Sequence, residues 1–151
     1  GNFSSHIHVE RYYTSSYLEG LGVMLLLDDF TEENGGTLFL LGSQQRPEKP
    51  EPALFFAQAK RLVAAAGSIL LFHPHIWHAG GINKSSHRRD ALTLGFCRPY
   101  MKQRLNYPVM FAERAGHYSE AIKQKLGFNA VSPTSLPEFY SQSGWNWSAK
   151  E

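Results

Sequence analysis

Short apolar runs cut by glycine, asparagine and proline constrain this chain more than any other feature of its sequence. Residues 3–13, FSSHIHVERYY, are rich in β-branched and aromatic types and read as a strand. Residues 22–27 form a continuous apolar run, the pattern of a strand buried on both faces. The turn formers DDFTEENGG follow, with Asn34-Gly35 among them, and residues 37–41 are apolar again, which gives strand, turn, strand. Residues 42–52 hold three prolines and read as a surface loop. The alanine-rich segment 53–66 has apolar residues at helical spacing and predicts a helix ended by Gly67. Residues 68–73 and 89–98 predict two further strands. Residues 113–126 predict a second helix with Gly127 as its C′ residue, and the tail 132–151 is expected to pack on the core. Strands separated by turns, with few helices, imply a β-sandwich or barrel rather than an alternating parallel sheet.

At 151 residues the chain is one domain's worth of polypeptide, long enough to bury a core. Its net charge of +2 comes from scattered Lys and Arg that form no phosphate-binding stripe, so nucleic acid is not the expected partner. The apolar run 23–27 is far too short to cross a bilayer, which needs about 20 residues. No charged-then-apolar signal segment opens the chain. The single cysteine, Cys97, excludes an internal disulfide framework and fits a reducing compartment; a cytoplasmic protein with no membrane partner is expected.

Histidine is the first chemical signal. Six of the seven fall in two clusters, His6 and His8 near the start, and His73, His75, His78 and His87 in the second half. On a strand, residues two apart share a face, so His6, His8 and Glu10 line up together. An imidazole and a carboxylate side by side supply two legs of a metal site that a second, distant imidazole completes; such a face leaves three positions open on iron(II). The competing reading of the same residues is an exposed polar strand face. In the segment LFHPHIWHAGGINKSSHRRDALTLGF, a histidine, a Gly-Gly turn and an arginine opening the next strand follow in order. Antiparallel neighbours lie about 5 Å apart, so His78 and Arg89 can address one cavity. A guanidinium offers a rigid fork matched to a carboxylate, and an inward Arg89 would call for an anion against it. The ordinary alternative is that Arg88 and Arg89 are both solvated turn residues.

These segments resemble the phytanoyl-CoA dioxygenase-like branch of the iron(II)/2-oxoglutarate oxygenases. LLLDDFTEENGGTLFLLGSQ is similar to that family's strand–turn–strand segment, and LLFHPHIWHAGGINKSSHRRDALTLGFCRP to its distal-histidine segment. Arg89 follows His78 by eleven residues, the spacing the resemblance requires, so Arg89 and not Arg88 inherits the 2-oxoglutarate contact. YMKQRLNYP and LGFNAVSPTSL resemble the C-terminal stretch of bacterial members. The resemblance runs from about Ser5 to Tyr140. It implies a mainly β chain, a double-stranded β-helix (jelly-roll, cupin-like) core with a few helices. It also implies iron(II) held by His8, Glu10 and His78, no catalytic residue beyond these ligands, and 2-oxoglutarate held by Arg89. The reaction implied is hydroxylation of a small-molecule C–H bond with release of succinate and CO2.

The chain departs from the family pattern in four places. The usual H-x-D becomes His8-Val9-Glu10, and His6-Ile7-His8 competes with it in alignment. Gly42-Ser43-Gln44 lacks the usual Pro and His, and Gly80 stands where several members carry a serine. Only seven residues precede His8, so an N-terminal part of the fold is expected to be missing or supplied elsewhere, for instance by an oligomer or partner chain completing the barrel. These departures keep open a non-catalytic member acting as a binding or assembly subunit, and a cupin-type metal enzyme without 2-oxoglutarate. His73 and His75 read as loop or supporting residues, His87 and His117 as surface, Trp77, Phe55 and Phe56 as core, and Cys97 as a small buried hydrophobe.

Overall fold

The computed structural model describes residue 7 and residues 17–48 and 51–142. They divide into two compact units, Gly1–Arg98 and Pro99–Glu151. The expected strand over residues 3–13 lies outside the described residues, Ile7 excepted.

The first unit holds β1 (Gly20–Leu26), β2 (Leu38–Phe39), α1 (Pro52–Gln58), β3 (Lys60–Arg61), β4 (Ile69–Phe72), β5 (His78–Ala79) and β6 (Ala91–Cys97). They form two three-stranded antiparallel sheets, ordered β4-β1-β6 and β3-β2-β5. β1 and β2 are therefore not a hairpin: the DDFTEENGG turn hands the chain from one sheet to the other. Side chains of the turn fold it locally. Thr31 N–H donates to Asn34 Oδ1 at 2.9 Å, Asn34 N–H to Thr31 Oγ1 at 3.1 Å, and Asn34 Nδ2 to the Asp29 carbonyl at 2.6 Å. Gly35 then takes φ 78°, the left-handed region, where a Cβ would overlap the Gly81 carbonyl and the backbone of Ile82 and Asn83. A side chain there would be strained twice over.

β1 is not buried on both faces as its apolar run suggests. Gly22, Met24 and Leu26 are buried, whereas Leu21, Val23 and Leu25 on the other face are only half-buried. The inner face packs Met24, Leu26 and Phe30 with Leu62, Leu70, Phe72 and Ala91. A second cluster unites Leu40, Phe55, Trp77 and Ala79, with Ile7 packed against it.

The helix expected over 53–66 stops at Gln58. It begins as the sequence dictates, with Pro52 in the first turn and the Glu51 carboxylate accepting from Ala53 N–H at 3.0 Å. Ala59 turns extended, Lys60–Arg61 pair with Leu38–Phe39, Leu62 N–H donates to Thr37 O at 2.8 Å, and Ala64 bridges Phe30. Alanine's helical preference is worth only tenths of a kcal/mol per residue, and sheet pairing over these residues overrides it. Gly67, at φ 82°, still ends the segment.

In the second unit, α2 (Tyr107–Met110) precedes a 3-10 turn at Ala112–His117, then α3 (Glu120–Leu126) and α4 (Leu136–Gln142). The helix expected over 113–126 is split, because Ser119 takes an extended conformation and caps α3 through its Oγ. Gly127 ends α3 in the left-handed region, φ 84°, as a C′ glycine should. Among the described residues no helix is long and apolar enough to cross a membrane.

Candidate functional site

His78 sits where the two sheets face each other. Its strand exists because β5 pairs with β2, with His78 opposite Phe39 and Ala79 opposite Leu38. The preceding residue anchors it. Trp77 is 1% exposed, its backbone N–H donates to Ser43 Oγ at 2.8 Å, and that hydroxyl donates to the Leu40 carbonyl at 2.6 Å. Leu40 N–H closes the loop on the Trp77 carbonyl at 3.0 Å. The Gly42-Ser43-Gln44 segment, which departs from the family pattern, thus serves as a backbone clamp on the strand that carries His78.

The His78 ring stacks on Phe39 (centroids 5.7 Å apart, 25°) and meets Phe72 edge-on (5.5 Å, 61°). Phe39 and Phe72 themselves touch at 5.5 Å, so one ring comes from each sheet. Phe72 can lie there only because its β1 partner is Gly22; a Cβ at Gly22 would overlap the Phe72 ring. Nδ1 of His78 lies 2.9 Å from the Ile76 carbonyl. A carbonyl only accepts, so Nδ1 carries the hydrogen and the ring's lone pair is on Nε2, the arrangement a metal-binding histidine adopts.

Arg88 and Arg89 differ in burial. Arg88 is exposed and pairs with Asp90 at 3.2 Å. Arg89 is half-buried, with its guanidinium carbon 4.2 Å above the ring of Phe30, itself 1% exposed. Its Nε is buried and has no hydrogen-bond partner among the described residues. Desolvation pulls the Arg89 pKa below its ordinary value, and the charges of Asp90 and Asp28 oppose that pull. The backbone around Arg89 is held from β1: Asp28 Oδ2 accepts from Asp90 N–H at 2.6 Å, while Leu27 and Asp28 N–H donate to the Asp90 carbonyl at 3.1 and 3.3 Å.

His78 and Arg89 are joined through one apolar cluster. Phe72, against His78, packs with Met24, Leu26 and Phe30, and Phe30 lies under Arg89. His6, His8 and Glu10 lie outside the described residues. Ile7, between the two early histidines in sequence, packs on the cluster containing Trp77 and Ala79, the two residues that flank His78. Among the described residues no group of three His, Cys, Asp or Glu gathers to hold a metal.

The remaining histidines separate clearly. His75 is 5% exposed, and its backbone N–H donates to His73 Nδ1 at 3.1 Å. Burial, and secondarily the charge of His75, lower the His73 pKa below 6.5. His87 and His117 are exposed, as expected. Trp77 and Phe55 are core, but Phe56 is 49% exposed. Cys97 is exposed rather than buried, because it lies near the end of β6, whose residues beyond Ala91 are all exposed. Sequence reasoning did not single out Phe30, Phe72 or Gly22, and it noted Ser43 only as part of a departure from the family pattern. The available signal was the turn sequence DDF, whose first acid bonds the backbone of Asp90 and whose ring lies under Arg89.

The described part of the first unit is thus two small antiparallel sheets, with an imidazole and a half-buried guanidinium on one aromatic-lined cluster. The family model for phytanoyl-CoA dioxygenase (PhyH) matches residues 3–91, and the chain belongs to that family. Uncharacterised proteins of Mycobacterium bovis and Mycobacterium tuberculosis are each 34% identical over 127 residues, 83% of this chain and 46% of theirs. A dioxygenase of Alternaria alternata, ALT11, is 26% identical over 126 residues, 82% of this chain and 40% of its own. The chain thus spans under half the length of these relatives. Among solved structures, AviO1 from Streptomyces viridochromogenes Tue57 superposes with a TM-score of 0.53 at 18% identity, covering 65% of this chain and 44% of its own. EvdMO1 superposes at 0.51 and 18% identity, covering 62% and 23%. Both report on fold alone.

Proposed function

We propose that this chain carries the iron(II)- and 2-oxoglutarate-binding part of a dioxygenase that hydroxylates a C–H bond of a small molecule, with release of succinate and CO2. The two sheets are read as part of a double-stranded β-helix core, a reading supported by the likeness to AviO1. The observation that carries the functional reading is Arg89: a half-buried guanidinium held over Phe30, with a buried Nε that lacks a partner among the described residues. Such a group is set to take an anion, and its planar fork suits a carboxylate.

His78 fits an iron ligand, because the Ile76 carbonyl fixes the ring with its lone pair on Nε2. His8 and Glu10 are proposed to complete the metal set, with His6 the competitor to Glu10; the packing of Ile7 beside the His78 strand supports this. When bound, iron(II) with 2-oxoglutarate supplies the oxygen-activating chemistry. The chain's own residues bind and orient. Arg89 would hold the far carboxylate of the co-substrate, Phe39 and Phe72 fix the His78 ring and keep water from it, and the Asp28–Asp90 contact sets where Arg89 emerges.

The test is an anaerobic titration of the purified chain with iron(II) and 2-oxoglutarate, followed by the visible charge-transfer absorption of the chelate. The expected result is a band that disappears in His78→Ala and needs far more 2-oxoglutarate in Arg89→Leu. No band in the wild-type chain at saturating co-substrate would sink the proposal.

A further inference from the structure

Lys60 stands on the same tier as His78. Phe39, in the middle strand, is the ladder partner of Lys60 on one side and of His78 on the other. Partners across a ladder point to one side, so the lysine, the phenyl ring and the imidazole leave the β3-β2-β5 sheet in one row. That side faces between the sheets. Leu62 and Ala64, which share the parity of Lys60, pack on the cluster of Met24, Leu26 and Phe30. Ala59, of opposite parity, packs on the other cluster, with Leu40 and Phe55. Lys60 is therefore an inward-pointing cation, and it is exposed.

The two cations of β3 differ in what they meet. Arg61 donates to the Gly36 carbonyl at 3.0 Å and pairs with Glu32 at 3.2 Å. The Lys60 ammonium has no carboxylate partner among the described residues, and none of the six strands contains an Asp or a Glu. The tier also has room. On the facing sheet Gly22 is partnered by Phe72 on one side and by Gly95 on the other. The Phe72 ring fills the space over Gly22, whereas a Cβ at Gly95 would meet nothing within 4 Å among the described residues.

We propose that Lys60 determines specificity at this site by selecting a substrate with an anionic head group, a carboxylate or a phosphate, near the carbon that is oxidised. The proposal rests on the reading of His78 as an iron ligand. The co-substrate's far carboxylate is met elsewhere. From Lys60 the chain runs through Leu62 to Ala64, which bridges Phe30, and Phe30 lies under Arg89. Four residues of extended chain span about 13 Å, so Lys60 and Arg89 stand at opposite ends of the inner face. Two strand spacings, about 10 Å, separate the backbones of Lys60 and His78. Head group and reactive carbon are therefore close together, which describes a small charged molecule rather than a long chain oxidised far from its charge. An inward charge on an edge strand has one other use, keeping that edge from pairing with a second chain.

The test reads binding to the metal-free chain and needs no turnover. Arg89→Leu is the background, because it removes the cation at the far end; Arg89→Gln takes its place if the leucine variant unfolds. Saturation-transfer NMR at low salt compares hexanoate with hexanamide, and hexyl phosphate with hexanol. A charge-assisted contact supports an expected preference of about tenfold for the anion of at least one pair. Adding Lys60→Gln should abolish the preference and adding Lys60→Arg should keep it, with circular dichroism matched to wild type in each. The pair that shows the preference identifies the head group. Its absence, or its persistence in Lys60→Gln, overturns the proposal; persistence with aggregation of the variant assigns Lys60 to guarding the β3 edge. A 2-oxoglutarate requirement that rises as far in Lys60→Gln as in Arg89→Leu overturns it too, by assigning the lysine to the co-substrate. The wild-type chelate band reports on the iron reading by itself. A preference without the band sinks that reading and keeps Lys60 as an anion site, whereas a band without the preference sinks only the assignment of Lys60.

Discussion

The Asp28 carboxylate accepts the backbone N–H of Asp90 at 2.6 Å, across 62 residues of sequence, and so joins the end of β1 to the residue that follows Arg89. Two more backbone bonds, from Leu27 and Asp28 to the Asp90 carbonyl, complete the link. Asp28→Ala removes one hydrogen bond of these three at a half-buried position, so about 1 kcal/mol of stability is expected to go. Co-substrate affinity should fall further, about tenfold, because a small displacement of the Arg89 backbone moves the guanidinium away from its target. Titration with 2-oxoglutarate beside a melting curve checks both. Equal, small losses in the two would reduce Asp28 to an ordinary turn residue.

Arg89→Leu separates binding from folding. The guanidinium is desolvated and its Nε has no partner among the described residues, so replacing it with an apolar side chain should leave the melting temperature unchanged or raise it. The same change should weaken 2-oxoglutarate by about 2–5 kcal/mol, and Arg89→Lys should recover only part of that, since an ammonium lacks the fork. A large drop in melting temperature for Arg89→Leu would instead make the arginine a structural element.

How far the sequence could be read follows from these particulars. β1, β4 and β6 were legible as apolar runs of roughly the right bounds. The length of α1 was not. Residues 59–64 carry helical propensity, and only pairing with Thr37–Phe39 and Phe30, more than twenty residues away, makes them extended. Non-local pairing of that kind leaves no local trace. The half-buried side of β1 was equally hidden, because a continuous apolar run reads the same whether its second face is fully or only partly covered. Phe72 and Gly22 were invisible as a pair until the register set them opposite each other.

Gly22→Val tests that pairing. A β-branched side chain there would overlap the Phe72 ring, which would have to leave Phe39 and His78. Overpacking of this type costs about 1–3 kcal/mol. Iron affinity should fall with stability, and Phe72→Leu combined with Gly22→Val should recover part of both by vacating the space. No recovery in the double variant would show that Gly22 serves something other than the ring.

Ser43→Ala removes a hydroxyl that is 0% exposed, accepts from Trp77 N–H and donates to the Leu40 carbonyl. The Trp77 backbone N–H is then left buried without an acceptor, at about 1–3 kcal/mol. Because Trp77 precedes His78, loosened metal binding should accompany the lower melting temperature. Ser43→Thr keeps the hydroxyl and should retain the bonding while crowding the buried site. A denaturant midpoint unchanged in Ser43→Ala would contradict the clamp.

His73 gives the fold a pH dependence of known sign. Its folded pKa is pulled below the ordinary 6.5, first by burial and then by His75, and its Nδ1 accepts the His75 N–H at 3.1 Å, a bond that protonation of Nδ1 breaks. Above pH 6.5 neither folded nor unfolded chain protonates this ring, so it contributes no slope. Below that, the unfolded chain binds the proton that the folded chain resists. Stability from this group should therefore fall as pH drops from 6.5 toward the folded pKa, and level off beneath it. His73→Asn removes the titration, so the difference in unfolding free energy between wild type and variant, measured from pH 8 to pH 5, should be flat at the top of the range and bend against the wild type below 6.5. Parallel profiles for the two proteins across that range would show that the ring titrates normally, and that its contact with His75 carries no linkage to folding.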